Sequence, residues 1–128
     1  LGAAWVRGLH AAGCVPVIKH IPGHGRATLD SHEALPRVEA SVTDLAADVA
    51  PFQALAGCGA WAMTAHITYS AWDESLPATL SPRVIGAVIR GEIGFDGVLV
   101  SDDLAMGAMR GLSHDLAGAA VAAGCDLV

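Results

Sequence analysis

The sequence is poor in charge, above all in positive charge. Charged residues make up 16% of its 128 residues, and Lys plus Arg number 7 against 13 Asp plus Glu. A formal net charge of -6 argues against a nucleic-acid surface and against a basic membrane patch. No apolar run approaches the ~20 residues that a membrane helix needs, and no secretory leader pattern is visible in these residues. Cysteine is scarce: Cys14, Cys58 and Cys125 are odd in number and widely spaced. They form neither a disulfide framework nor a zinc pattern, and fit buried reduced thiols in a reducing compartment. No G-x-G-x-x-G follows a strand-like segment, which removes the main dinucleotide fingerprint.

What is present is apolar. Hydrophobic residues make up 53%, which excludes disorder, and the length suffices for one domain with a real core. The chain begins at Leu1 in a helical pattern without methionine and stops at Val128 inside an apolar run. It reads as a fragment of a longer domain, truncated at both ends.

The spacing predicts a helix over 1–13, where Leu1, Trp5, Leu9 and Ala12 share a face and Gly13 stops it. Cys14 to Ile18 reads as a buried strand with Pro16 near its start. Lys19 to about Ser41 is a long loop, and loops of that length in compact domains are usually functional. Helix follows over 43–57. Pro51 is expected in the first turn of its main part, which would begin near Asp48 or Val49. Trp61 to Ile67 is a second strand, with loop to Leu80. Ser81 and Pro82 start a helix whose stripe is Val84, Ile85, Val88, Ile89 and Ile93, ending at Gly94. Gly97 to Val100 is a third strand. Ser113 caps a helix through Ala123, and Cys125 to Val128 opens a fourth strand. Alternation of this kind means an α/β fold with a parallel sheet, either an open doubly wound sheet or part of a barrel. A (β/α)8 barrel takes ~250 residues, so this chain would be about half of one.

In either architecture the C-terminal strand ends face one side. Lys19 and His20, His66, and Asp102 with Asp103 would converge there, with the loop bearing Asp30 and His32 above them. A carboxylate at a strand end beside a His–Asp pair suggests a nucleophile with an acid/base. Asp30, two residues before His32, can accept a hydrogen bond from the imidazole and fix its tautomer. Asp103 is the better candidate for a plain capping role. His24 fits a brace within the loop.

KHIPGHG, DSH and LP over residues 19–36, followed by GVLVSDDLAM over 97–106, resemble the bacterial β-N-acetylglucosaminidases of glycoside hydrolase family 3. The TAH segment ending at His66 and PATLSP at 77–82 extend the resemblance over essentially the whole chain. It implies the C-terminal half of a (β/α)8 barrel, about four strand–helix units, within a longer catalytic domain. It implies a retaining glycosidase that removes terminal β-N-acetylglucosamine, from cell-wall muropeptides, in the cytoplasm, without metal or cofactor. Asp102 matches the nucleophile, His32 the acid/base and Asp30 its partner. Lys19 and His20 match sugar-binding positions, and Met63 and His66 are further substrate-binding candidates, as wall residues or as direct contacts. The implied partner is a carbohydrate, not a nucleic acid or a membrane. Sugar-binding residues from the first half of such a barrel are not in this chain, so the isolated polypeptide is expected to be inactive and to aggregate, self-associate or stay molten.

Three alternatives stand beside this one. A β-glucosidase-like relative would carry its acid/base on a second domain, whereas here the D-S-H loop is intact. A metal-dependent hydrolase could use His20, His24, Asp30 and His32, but they lack the rigid helical spacing of H-E-x-x-H. The third is a truncated piece that keeps the motifs without a complete site.

Overall fold

The alternation of apolar segments produces parallel pairing throughout. The computed structural model describes residues 1–128. In chain order it has helix α1 (Gly2–Ala11), strands β1 (Val17–Ile21) and β2 (Arg37–Val38), and helix α2 (Val42–Gln53). Strands β3 (Trp61–Thr64) and β4 (Thr68–Tyr69) follow, then a 3-10 turn Ala78–Leu80 and a π-helix Val84–Glu92. Strand β5 (Leu99–Val100), a 3-10 turn Gly107–Met109 and helix α3 (Leu116–Ala123) complete it. The main sheet runs β1-β3-β5, all parallel. Strands β2 and β4 form a separate parallel pair, Arg37 against Thr68 and Val38 against Tyr69. The expected fourth strand reduces to one bridge between Val100 and Leu127.

One row across the sheet, Ile18, Ala62 and Leu99, is buried, together with Leu45 and Val49 of α2 and Val84, Ile85, Val88 and Ile89 of the π-helix. The apolar stripe expected after Ser81 is therefore the buried one, and the Ser81 hydroxyl accepts the Val84 N–H at 3.0 Å. Residues of the alternate rows are open: Val17 is 41% and Trp61 37% exposed. Residue periodicity in a strand forces this division, because successive side chains point to opposite faces.

Several expected boundaries move. Strand β1 runs through Lys19 and His20 instead of stopping at Ile18, because its ladder continues with Lys19 against Met63. A lysine on the uncovered face meets no desolvation cost there. Helix α2 starts at Val42, and Pro51 falls in its last turn instead of its first. Ser41 sets that start: its hydroxyl accepts the Asp44 N–H at 3.1 Å, and Asp44 Oδ2 accepts the Ser41 N–H at 3.3 Å. Such a reciprocal cap stabilises by ~1 kcal/mol. Asp115, not Ser113, caps α3. Gly124 closes that helix with φ 118°, which suits glycine. Of the thiols only Cys125 is buried, and burial pushes it up to about 11; Cys14 is exposed and Cys58 half-buried.

Candidate active site

The C-terminal ends of β1 and β5 bring together the first pair. His20 stands near the end of β1, and Asp102 follows β5 by two residues. His20 Nε2 lies 3.3 Å from Asp102 Oδ2, with both side chains mostly buried. Asp102 Oδ1 accepts the Asp103 N–H at 2.9 Å, so one carboxylate oxygen anchors the backbone and the other faces His20. Burial holds the His20 pKa below its ordinary value against the opposing pull of Asp102, and Lys19, His24 and His66 lower it further. Lys19 and Met63 are cross-strand neighbours, and Met63 pairs onward with Val100, forming a row one residue back from this pair. Lys19 is exposed and Met63 half-buried.

The second pair stands on the loop. Asp30 Oδ1 accepts both the His32 N–H at 2.9 Å and the His32 Nδ1–H at 2.8 Å. A carboxylate only accepts, so the proton sits on Nδ1 and Nε2 is left for another partner. The same two bonds hold the Asp30 carboxyl below the usual carboxylate range. Both side chains are open to solvent, His32 at 76% and Asp30 at 61%. No hydrogen bond joins this pair to His20 and Asp102 directly. The link runs through backbone: Gly107 N–H donates to the His32 carbonyl at 2.9 Å, and Ala108 N–H to the Ser31 carbonyl at 3.1 Å.

Tyr69 and Ser70 hold the two ends of that loop. The buried Tyr69 hydroxyl donates to the Gly23 carbonyl at 2.7 Å, while the Ser70 N–H and hydroxyl hold the Val38 carbonyl beyond the loop's far end. Burial raises the Tyr69 pKa, so the hydroxyl stays a donor. Trp72 packs on the Tyr69 ring and is buried. His24 Nε2 lies 3.4 Å from the Ser31 hydroxyl, as a loop brace would. No three His, Cys, Asp or Glu side chains gather as a metal-binding set, and His20, His24, Asp30 and His32 divide between the two pairs and this brace.

His66 sits beneath the site, not on its wall. It is 1% exposed and both ring nitrogens are engaged. Nε2–H donates to the Asp103 carbonyl at 3.0 Å, and burial keeps the ring neutral by lowering its pKa. Nδ1 lies 2.7 Å from the Thr79 hydroxyl, which also lies 3.2 Å from the Ala65 carbonyl. The Thr64 hydroxyl lies 2.8 Å from Thr79 Oγ1 and completes the chain. Asp103 itself makes a local turn, its Oδ1 accepting the Ala105 N–H at 2.8 Å. Thr64, Thr79, Tyr69 and Gly107 escape sequence reasoning. Each carries ordinary packing residues' chemistry, and only three-dimensional neighbours give it a role.

A strand-end carboxylate paired with histidine thus stands on one loop and a second His–Asp pair on another, with backbone hydrogen bonds joining the two loops. The Glycosyl hydrolase family 3 N terminal domain matches residues 1–128, and the chain belongs to that family. It is 47% identical over 132 residues to a beta-hexosaminidase of Alkalilimnicola ehrlichii, covering 100% of this chain and 38% of that protein. Its fold matches a glycoside hydrolase family 3 beta-N-acetylglucosaminidase from Paenibacillus sp. with TM-score 0.93 and 44% identity, over 99% of this chain and 25% of that one. It also matches NagZ from Neisseria gonorrhoeae, solved with N-trifluoroacetyl-D-glucosamine, with TM-score 0.82 and 40% identity, over 98% of this chain and 37% of that one. The chain thus spans well under half the length of these relatives. No helix is long and apolar enough to cross a membrane.

Proposed function

We propose that this chain is part of the catalytic domain of a retaining β-N-acetylglucosaminidase. The observation that carries the reading is the meeting of two loops. One bears Asp102 with its oxygen facing His20, and the other bears the Asp30–His32 pair. Asp102 attacks the anomeric carbon while His32, as imidazolium, donates its Nε2 proton to the departing oxygen. The bond from that carbon to the leaving oxygen breaks, and a glycosyl ester on Asp102 remains. Neutral His32 then takes a proton from water, which displaces Asp102 and restores the starting anomeric configuration. Asp30 holds the ring through Nδ1–H in both steps. A histidine suits this exchange because its ordinary pKa of ~6.5 lies near neutral pH. Two carboxylates do this work in most glycosidases. Lys19 and His20 hold sugar hydroxyls, and Met63 lines the pocket.

The 128 residues form the C-terminal half of a (β/α)8 barrel in this reading. The exposed sheet face with Val17 and Trp61, and the 67% exposed Trp5 of α1, support it. The isolated polypeptide should then aggregate, self-associate or stay molten; a monodisperse monomer with a cooperative thermal transition would count against it. The substrate class is N-acetylglucosamine-terminated muropeptide, and the free thiols fit the cytoplasm.

The test uses the full-length protein that carries this sequence. It is treated with a slow fluorinated N-acetylglucosaminide, digested and weighed for a sugar adduct. An adduct on Asp102 establishes the covalent step and the nucleophile together. Turnover without an adduct that also survives Asp102→Ala would remove Asp102 from that role.

A further inference from the structure

We infer that Gly107 and Ala108 are positioning residues that latch the acid/base loop, and that the latch closes only because position 107 has no side chain. The inference rests on the reading of His32 as acid/base. The two backbone bonds from Gly107 and Ala108 are the ones that tie residues 31 and 32 to the nucleophile's own loop. The fit there is backbone to backbone. A Cβ on Gly107 would collide with the Glu33 carbonyl and come 2.6 Å from the His32 carbonyl oxygen. No flexible side-chain tip is available to yield, so any side chain must push residues 32–33 away.

The latch side is firm. Met106, Ala108 and Met109 are buried, and Ser31 on the opposite side is buried too. Met106 N–H donates to the Asp103 carbonyl at 3.1 Å, and Met109 N–H to the Met106 carbonyl at 3.0 Å. Asp103 is held in turn by His66. A continuous run of bonds therefore leads from the buried histidine, past the residue next to Asp102, to the turn that grips the loop. The His32 imidazole itself touches only Asp30 among the loop's side chains and is otherwise open. Its placement is set through its main chain, at Gly107, instead of through packing of its ring.

A displaced acid/base has a recognisable kinetic signature. A good leaving group departs unprotonated, and a poor one needs the proton. The experiment measures kcat/KM of the full-length protein on aryl β-N-acetylglucosaminides of graded leaving-group pKa, for wild type, His32→Ala and Gly107→Ala. Gly107→Ala should steepen the leaving-group dependence in the manner of His32→Ala. Its loss should be on the order of 10²-fold on the poorest leaving group and small on the most activated one. A uniform loss across the series, or no loss, would overturn the latch. A flat dependence for His32→Ala would instead retire His32 as acid/base, a separate failure. Should Gly107→Ala not fold, amide exchange of the wild-type protein decides. Gly107 and Ala108 amides must exchange more slowly than unbonded loop amides; equal rates would overturn the proposal.

Discussion

The strand-end pair and the loop pair are built from the same residue types and differ in almost everything else. His20 and Asp102 extend from parallel strands in one ladder and are mostly buried. Asp30 and His32 sit on a loop, open to water, and are placed by main-chain bonds. In the proposed mechanism the difference matches two chemical duties. A nucleophile must meet one carbon along one line, which rewards a rigid scaffold. A proton donor that later becomes an acceptor must admit both a leaving group and a water, which rewards an open mount.

That contrast can be broken from either side. Asp102→Ala should have the largest effect, reducing turnover to background on every substrate whatever its leaving group, with the melting temperature nearly kept. Activity that persists on activated substrates would erase the distinction between the two pairs. Asp30→Asn should do less, and selectively. It loosens and mis-tautomerises His32, so losses should grow with leaving-group pKa and stay within the ~10²–10⁴-fold range of general acid catalysis. A uniform loss would mean that Asp30 serves folding alone. Tyr69→Phe is smaller still. Removing the hydroxyl leaves the buried Gly23 carbonyl without its 2.7 Å partner, costing about 1–3 kcal/mol. It should raise amide exchange over residues 23–34 and leave β1 and β3 protected; equal acceleration everywhere would contradict the division into scaffold and mount.

The smallest expected effect is one of pH. Burial lowers the His20 and His66 pKa values below 6.5, so the unfolded chain takes up protons first as pH falls. The stability they contribute is full above 6.5 and is lost as pH drops below it toward their folded values. Melting temperature should decline over that window, and His66→Gln should flatten the decline. A slope unchanged by His66→Gln would assign the pH dependence elsewhere.

Much of this was legible in the residues. Ser101–Asp103 after an apolar run marked a strand end correctly, and D-S-H gave a real Asp30–His32 bond. The parallel α/β class followed from alternation. What failed was local. Lys19 and His20 read as loop, yet Lys19 points to the uncovered sheet face and His20 finds a partner in Asp102, so β1 accommodates both. Pro51 drew attention to the wrong end of α2, while Ser41, ten residues earlier, starts the helix with Asp44 as its reciprocal cap. Strands β2 and β4 are two residues each, too short to show any period. His66 looked like a site residue because it ends an apolar run. Only the tertiary contacts with Thr79 and Asp103 show it turned inward.

Tyr69 holds Gly23 through its hydroxyl, and Ser70 beside it holds the Val38 carbonyl through its N–H and its hydroxyl, so both feet of the loop stand on adjacent residues. Ends that stand side by side make residues 23–38 a ring of chain whose closure is already paid by the fold around it, so the loop can change sequence or length between its feet at little further entropic cost.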